Sequence, residues 1–308
     1  MLIAIDHGNS AVKTPRFQFC SGLTEHLSKP PLAEEIIEYE GRFWTLSNTR
    51  IAYKRDKTRD NSFFILSLFA IVKELAAEGL LKPLNTVDLA VGLPPEHFGN
   101  LREGFKRYFK ATCPVHLTYN DTKLYLTIRH VFVYPQAYAA VVPQGERLAK
   151  RPCLFIVDIG GMTTDVLLLR SGKPDLQFCR SLETGIITMQ NQLIGKVNSL
   201  YDMIIDDGHI ATVLRGGETI LPTEVQETIR AAAGQHANAI LDKLRELQVD
   251  LRSNPAVFIG GGALLLRKHL EHSSLVGQAE FVEDPKANAV GYLKLASAQL
   301  RRMELVDA

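Results

Sequence analysis

The chain has 308 residues, 46% of them hydrophobic and 22% charged, which is the composition of an ordinary soluble globular protein. Its length allows two compact domains, each with a hydrophobic core of its own. The formal net charge is only +1, so no overall field attracts nucleic acid or a charged membrane.

The first half of the chain mixes strands with two helices. Apolar and alternating runs predict strands at 2–5, 12–20 and 36–46, the last with a hairpin turn at 39–42. A broad apolar stripe predicts a helix at 62–77, which Gly79 ends. Next come a strand at 86–93 and an amphipathic helix at 96–110. A hairpin about Asn120-Asp121 then joins strands at 115–119 and 123–133.

The second half repeats this organisation. A short helix is expected after Pro135, then a polar connection between domains at 143–152. A strand at 154–157 opens a second strand–turn–strand unit that ends at Arg170, followed by a strand at 175–180. Helices are expected at 186–200 and 224–247, a buried strand at 256–259, and a last helix that begins at Asp284-Pro285 and ends near Met303. The pattern predicts an α/β class with two related domains.

Nothing in the sequence points to zinc, secretion or a membrane span. The four cysteines, at 20, 113, 153 and 179, are scattered and are expected to be reduced and mostly buried. The N-terminus begins directly in a strand, and the longest apolar run, 63–72, is too short to cross a bilayer. We therefore expect a cytoplasmic protein. The mixed charges of Lys54, Arg55, Lys57 and Arg59 favour a solvated loop.

The first strand leads into a turn of small polar residues, Asp6-His7-Gly8-Asn9-Ser10, with Lys13 downstream. Glycine and small side chains let backbone N–H groups approach phosphate oxygens closely. Lys13 can place a positive charge near a phosphate, and Asp6 can hold a hydrated Mg²⁺. A simple hairpin turn would explain the same residues.

The same design recurs with more donors in Asp158-Ile159-Gly160-Gly161-Met162-Thr163-Thr164-Asp165. A buried apolar strand brings Asp158 to the turn, Gly160 and Gly161 open the backbone, and Thr163 and Thr164 add hydroxyl groups. A plain Gly-Gly hairpin is again the alternative. Two such turns in one chain are more indicative of phosphate binding than either turn alone.

A third turn, Gly260-Gly261-Gly262, joins a predicted strand to a predicted helix. Such a turn lets a flat ring or a sugar lie on the backbone, although a glycine-rich helix start without a ligand has the same sequence. It is not the dinucleotide-binding fingerprint, because no GxGxxG opens the first βα unit. The chain also lacks GxxxxGK[ST], which excludes a P-loop.

The order of these three motifs resembles the phosphate-1, phosphate-2 and adenosine motifs of the actin/Hsp70/hexokinase superfamily. Tyr134-Pro135-Gln136-Ala137 resembles its first connecting helix, and 286–292 resembles the second. The resemblance spans nearly the whole chain. It implies an actin-like (RNase H-like) duplicated α/β fold, with domain I at 1–147 plus 286–308, domain II at 148–285, and a nucleotide cleft between them.

Within the superfamily the chain looks most like the ParM/StbA-type plasmid-segregation actins and their archaeal relatives. The supporting residues are Gly92-Leu93-Pro94-Pro95, the Asp-Ile-Gly-Gly-x-Thr-Thr-Asp form of the second turn, and the Ala-Asn-Ala-Val-Gly-Tyr run at 287–292. The resemblance implies a filament-forming homopolymer with a ParR-type DNA-binding adaptor. It implies neither direct nucleic-acid binding nor a membrane partner.

The implied cofactors are ATP, with GTP as an alternative, and Mg²⁺. Asp6 and Asp158 would hold the water shell of the metal, Gln136 would orient the attacking water, and Asp165 would be the better candidate base. A neutral amide at 136 cannot itself deprotonate water. The residues implied to contact the nucleotide are Gly8, Asn9, Ser10, Lys13, Gly160, Gly161, Met162, Thr163, Thr164, Glu183, Gly185, Gly260, Gly261 and Gly262.

Two other functions stay open at this point. The opening residues 5–10 also resemble small kinases of the same superfamily, such as type III pantothenate kinase. A kinase needs a general base for its acceptor hydroxyl, and Asp88 is the only candidate, better explained as a polar residue at a strand start. A scaffold that binds ATP without hydrolysing it is disfavoured by the presence of Asp6, Lys13, Asp158 and Asp165.

Overall fold

The computed structural model describes residues 1–110, 114–145 and 151–306. The chain divides into two compact units: unit 1 is Met1–Gln144 with Lys286–Ala308, and unit 2 is Gly145–Pro285. Cys113 lies outside the described residues. So do part of the polar connection expected at 143–152 and the domain boundary expected after residue 147. Within the described ranges, no helix has the length and apolar character needed to cross a membrane.

The strands follow one another in the order of the chain. They are β1 (Leu2–His7), β2 (Ala11–Lys13), β3 (Gln18–Cys20), β4 (Leu23–His26), β5 (Ile37–Tyr39), β6 (Arg42–Leu46), β7 (Leu84–Leu93), β8 (Val115–Tyr119), β9 (Thr122–Pro135), β10 (Cys153–Ile159), β11 (Thr164–Arg170), β12 (Lys173–Leu182), β13 (Ala256–Ile259) and β14 (Ala279–Phe281).

The helices cover the sheets within each unit. They are α1 (Ser62–Ala77), α2 (Pro95–Phe109), α3 (Tyr138–Val141), α4 (Ile186–Tyr201), α5 (Asp207–Arg215), α6 (Thr223–Glu246), α7 (Gly261–Glu271) and α8 (Ala287–Val306). Unit 1 contains α1, α2, α3 and α8, and unit 2 contains α4 to α7.

Five strands of the unit 1 sheet, β3-β2-β1-β7-β9, have the same order and directions as the five strands of the unit 2 sheet. Unit 1 has the strand order β3-β2-β1-β7-β9-β8-β5-β6-β4, and unit 2 has the order β12-β11-β10-β13-β14. In each unit the opening strand pairs antiparallel with the strand that follows it and parallel with a later strand. The carboxyl end of β1 and that of β10 therefore occupy equivalent places, and each leads into a glycine turn.

Each unit has its own hydrophobic core. In unit 1, α1 is buried on nearly every side, and its Phe63 and Phe69 belong to the same buried cluster as Ile3 and Ile5 of β1. In unit 2, the buried face of α6, with Ile229 and Ile240 among its residues, belongs to the same cluster as Phe258 of β13. Burial of one such side chain contributes about 1.5–3 kcal/mol to folding.

Most predicted elements are confirmed, two differ in their bounds, and strands β4 and β14 are additional. The strand expected at 12–20 is interrupted between β2 and β3, because Thr14 and Phe17 close a turn around Pro15, which lacks an N–H for the ladder. The last helix begins at Ala287, not at Asp284-Pro285, since Val282 still donates to the Phe258 carbonyl and extends the strand pairing. Helix α5 was not expected.

Helix α5 is stabilised by a capping box. The Asp206 side chain accepts from the His209 backbone N–H, and the His209 ring accepts from the Asp206 backbone. The Asp206-Asp207-Gly208 sequence reads as a loop, because histidine at the third position is not the usual capping-box partner.

Candidate functional site

The two Asp-containing turns are built on hairpins of the same geometry. In the first, Asp6 of β1 lies opposite Lys13 of β2. In the second, Asp158 of β10 lies opposite Asp165 of β11. Both pairs are seven residues apart in sequence. The first turn (8–10) and the second turn (160–163) therefore start from equivalent strand ends, and Lys13 and Asp165 occupy equivalent positions.

In unit 1 the end of β1 places Asp6 beside Gln136. The Asp6 side chain is only 3% exposed, and its Oδ1 accepts a hydrogen bond of 2.8 Å from Gln136 Nε2. Gln136 follows β9, and its backbone N–H donates to the Leu93 carbonyl at the end of β7. The structure thus brings together the predicted metal-shell carboxylate and the predicted water-orienting amide.

Lys13 and the first turn complete this group. Lys13 is half-buried and makes no ion pair with any residue in the described ranges. A Cβ atom at Gly8 would lie 2.7 Å from the Ala11 carbonyl oxygen, so a larger residue there would distort the turn. The hydroxyl of Ser21 donates to the Gly8 carbonyl and fixes the turn from the neighbouring segment. Lys13 is therefore available as a cation beside Asp6.

The opposite face of β1 holds a buried polar pair that sequence reasoning did not identify. Because successive strand side chains alternate, His7 points away from Asp6 into the core, where it stacks on Phe109 at 4.9 Å and bonds to Ser67 Oγ at 2.7 Å. Lys57 is buried, contrary to the solvated loop expected there, and its ammonium group donates to the His7 carbonyl. Burial, and secondarily the charge of Lys57, lowers the pKa of His7 well below its ordinary value, so the ring is neutral near pH 7.

Gln136 is followed by a strained turn. Ala137 has φ +63° and ψ −57°, and Tyr138 donates across it to the Gln136 carbonyl at 2.6 Å. This is a γ-turn with positive φ, which is rare for a residue with a side chain and costs about 1–3 kcal/mol. The Ala137 N–H donates to Asn288 Oδ1 of α8 at 3.0 Å. Asn288 therefore helps to hold the turn that carries Gln136.

In unit 2 the pairing of β10 with β11 sets two carboxylates side by side. Asp158 and Asp165 are directly opposite on neighbouring antiparallel strands, which places their Cβ atoms about 4.5–5.5 Å apart on one face of the sheet. Asp165 is 6% exposed, and its Oδ2 accepts a 3.0 Å hydrogen bond from Thr163 Oγ1. Two like charges at this distance repel each other, so the site is suited to a cation.

The second turn is bonded to the start of α4. Gly185, Ile186 and Ile187 donate their backbone N–H groups to the carbonyls of Met162, Gly160 and Gly161 at 2.9–3.1 Å. A Cβ atom at Gly185 would lie 2.3 Å from the Gly161 oxygen. These contacts bring Gly185 onto the second turn and fix the backbone shape of that turn.

Thr164 and Glu183, which were both expected to contact the nucleotide, differ in their burial. Thr164 is fully buried, and its hydroxyl donates to the Thr184 carbonyl at 3.1 Å, so in this structure it supports the α4 connection. Glu183 is exposed.

His236 of α6 lies against the Thr184–Gly185 backbone, and burial lowers its pKa. Nothing in the sequence around His236 indicated this position.

The third turn (260–262) lies against Asp158. Gly260 has φ +90°, and a Cβ atom there would be 2.5 Å from Asp158 Oδ1, so only glycine fits. At Gly262 the clash would be with Ile159, 2.7 Å away, whereas Gly261 is exposed and has no neighbour within 4 Å. The glycines expected at the adenosine motif and the carboxylate expected at the metal therefore lie next to each other in unit 2.

The carboxylates fit Mg²⁺ better than a metal that needs a full set of protein ligands. Within the described ranges, no group of three or more His, Cys, Asp and Glu side chains is arranged to hold a metal ion. Mg²⁺ commonly keeps several waters and uses one or two carboxylates together with substrate phosphates. Asp158 opposite Asp165 in unit 2, and Asp6 in unit 1, supply that kind of ligand.

Comparison with known proteins relates the second unit to one family. Residues 156–272 match the family model of the C-terminal domain of the archaeal actin homologue MreB-like proteins. The match includes the second and third turns. No curated protein sequence matches the chain.

Solved structures match over nearly the whole chain. Ta0583, described as an archaeal actin homolog, superposes with a TM-score of 0.76 at 17% identity and covers 97% of this chain and 99% of its own. Bacillus thuringiensis ParM, solved with ATP, has a TM-score of 0.69 at 13% identity and covers 97% and 99%. The Alp12 filament structure has a TM-score of 0.67 at 15% identity and covers 97% and 98%.

Proposed function

We propose that this chain, which has the actin fold, is an ATPase whose ATP-bound form assembles into filaments. The observation that carries the proposal is the duplicated hairpin: Asp6 opposite Lys13 and Asp158 opposite Asp165, each at the start of a glycine turn. Carboxylates, a cation and the backbone N–H groups of glycine turns provide what a triphosphate with a bound Mg²⁺ requires. ATP is the proposed nucleotide, and GTP remains the alternative.

The proposal gives each side chain a separate task. Lys13 and the backbone of the first and second turns bind phosphate oxygens, and Asp6 and Asp158 accept hydrogen bonds from the water shell of Mg²⁺. Mg²⁺ supplies charge neutralisation on the phosphates. Gln136, held by its bond to Asp6, orients the attacking water.

Asp165 takes the proton of that water as its oxygen attacks the terminal phosphorus. The bond from phosphorus to the bridging oxygen breaks, and the products are ADP and inorganic phosphate. Thr163 Oγ1, 3.0 Å from Asp165 Oδ2, keeps the carboxylate oriented toward the turn.

Assembly into filaments is supported by the similar structures. Alp12 was solved as a filament, and the proteins that share this fold with TM-scores near 0.7 include ParM. We propose that ATP favours the assembling state and that hydrolysis weakens subunit contacts. Segregation of plasmid DNA, through a DNA-binding adaptor of the ParR type, is the corresponding cellular role.

The geometry does not favour the kinase alternative. Asp88, the candidate base, pairs with Leu2 at the beginning of β1, whereas Asp6 lies near the other end of that strand. Its carboxylate accepts hydrogen bonds of 2.6 and 3.0 Å from Arg129 and one of 2.8 Å from His130. Burial would raise the pKa of Asp88, but these bonds outweigh burial and lower it, which disfavours a proton-accepting role.

Substitution of Asp6 tests the assignment. We expect Asp6→Asn to retain the fold but to lose Mg²⁺-dependent ATP affinity by about tenfold or more, because a neutral amide is a poor partner for the hydrated metal. Titration of a fluorescent ATP analogue with and without Mg²⁺ measures this. Asp242→Ala, an exposed position on α6, is the control and should bind like the wild type. Unchanged affinity in Asp6→Asn would refute the metal assignment.

A further inference from the structure

Unit 1 contains a pocket formed by α2, β9 and the last turns of α8. Its volume is about 580 Å³, and we call it the α2–α8 pocket. The side chains that matter for its chemistry are Arg102, Lys106, Arg107, Lys110, Phe132 and Tyr134. None of them is part of the proposed ATP site, so the pocket needs an explanation of its own.

One wall of the pocket is strongly basic. Arg102, Lys106 and Lys110 recur every four residues along α2, which makes a row of charges about 12 Å long, and Arg107 lies beside it. The only carboxylate among the described lining residues is Glu103. Within the described ranges, neither Lys106 nor Arg107 forms an ion pair, and both are exposed. Arg102 lies 3.9 Å from Glu103, and the Lys110 ammonium group donates to the Arg129 carbonyl. Within the described ranges, the positive charge of this wall that has no acidic partner is therefore that of Lys106 and Arg107.

The floor of the pocket is apolar. Val131, Phe132 and Val133 of β9 contribute to it, and Met303 of α8 lies at the side, 36% exposed. Tyr134 is fixed in place, because its hydroxyl donates to Gln299 Oε1 at 2.8 Å and its ring stacks on Tyr292 at 6.3 Å. Because Tyr134 already stacks on Tyr292, the floor offers no open aromatic face for the ring of a ligand. A ligand that fits this floor therefore carries compact aliphatic groups.

We propose that the α2–α8 pocket binds an acidic peptide segment of a partner protein, with carboxylates on the α2 row and an aliphatic side chain on the floor. A row of cations 12 Å long matches a linear series of charges better than a single phosphate group does. Single-stranded nucleic acid also carries such a series, but it binds through base stacking on open aromatic faces. Phe132 is buried and Tyr134 already stacks on Tyr292, so this requirement is not met.

The test uses the 308-residue protein without nucleotide, together with fluorescently labelled synthetic peptides. The probe is a 14-residue peptide with glutamates four residues apart on one face and leucines on the other, and the comparison peptide has glutamine at every glutamate position. Fluorescence anisotropy at low and at physiological salt gives the two affinities. We expect the acidic peptide to bind more than about tenfold tighter than the neutral one, with the difference decreasing as salt increases.

The variant pair K106E/R107E tests whether the pocket is the binding site. Both residues are in the last turn of α2, and Lys243 and Arg245 occupy the last turn of α6, so K243E/R245E is a control with the same unfavourable effect on a helix terminus. We expect K106E/R107E to weaken acidic-peptide binding by about tenfold or more and K243E/R245E to leave it unchanged.

Three results would overturn the proposal. They are equal binding of the acidic and neutral peptides, equal loss in the two charge-reversal variants, and tighter binding of a single-stranded oligonucleotide of the same charge. Melting curves of both variants, followed by circular dichroism, confirm that each is folded. The readout does not require ATP, so the outcome is independent of the proposed ATPase.

Discussion

At the scale of single residues, the opposed carboxylates of unit 2 are the most informative feature. Asp158 and Asp165 face each other across an antiparallel pair, an arrangement that is destabilising unless a cation or a hydrogen-bond donor offsets the repulsion. At the equivalent place in unit 1, Lys13 faces Asp6. The same hairpin thus sets a lysine opposite an aspartate in one unit and two aspartates opposite each other in the other. The first arrangement suits phosphate and metal binding, and the second suits metal and water binding.

The proposed role of Asp165 as the base in hydrolysis leads to a prediction about ATP turnover. We expect Asp165→Ala to reduce ATP turnover by about 10²- to 10⁴-fold, the usual contribution of a general base, with ATP affinity changed by less than about threefold. Phosphate release and analogue titration measure the two quantities. Asp175→Ala, which removes the half-buried partner of Arg170, is the control. Wild-type turnover in Asp165→Ala would remove Asp165 from the mechanism.

Asn288 gives a second residue-scale prediction. Its Oδ1 accepts from the Ala137 N–H and so supports a backbone with φ +63° next to Gln136. We expect Asn288→Ala to lower turnover at least severalfold while ATP affinity stays near the wild-type value, because the turn relaxes and Gln136 shifts. Asn288→Asp keeps the acceptor oxygen and should restore most of the turnover. If both variants behave alike, the hydrogen bond does not position Gln136.

At the scale of elements, α8 approaches α3 without intervening side chains. A Cβ atom at Gly291 would lie 1.8 Å from the Ala139 carbonyl oxygen, and one at Gly92 would lie 2.0 Å from the Tyr292 hydroxyl. Only glycine allows these approaches, and they seat the fully buried Tyr292 against β7. The helix that carries Asn288 is therefore fixed by backbone contact.

The close approach predicts a large effect of one methyl group. We expect Gly291→Ala to reduce the free energy of unfolding by about 1–3 kcal/mol or more, because the neighbour is backbone and cannot move aside cheaply. The control is Gly195→Ala in the middle of α4, where nothing lies within 4 Å and a gain of about 0.5–1 kcal/mol is expected. Urea unfolding of both variants measures the difference. Equal stabilities would show that α8 is free to shift.

Elements with strong periodicity were predictable from sequence, and so were the motifs at their ends. Helix α1 has the bounds expected from its apolar stripe, and the Asn120-Asp121 hairpin has positive φ at both residues, as a two-residue turn requires. Burial of Lys57 was not predictable, because its partner is a backbone carbonyl 50 residues away. The strained Ala137 was hidden for a similar reason: Asn288 supports it from 151 residues further along the chain.

At the scale of the whole molecule, the actin-like fold expected from the motifs is confirmed. Sequence identity to Ta0583 is 17%, yet the TM-score is 0.76 over 97% of the chain. The strand order around β1 repeats around β10, and this repetition places an aspartate at the same position of both sheets. At such low identity, what this chain shares with Ta0583 is the fold.

Light scattering with high-speed pelleting of the purified protein, with and without Mg²⁺-ATP, tests the central claim most directly. We expect scattering to rise and a pellet to form only when Mg²⁺-ATP is present, and the signal to decay as phosphate is released. Asp165→Ala should assemble and not decay, and Asp6→Asn should not assemble. ATP binding by the wild type with no change in scattering or pellet would contradict the filament proposal, and phosphate transfer to a small hydroxylated acceptor would then establish the kinase alternative.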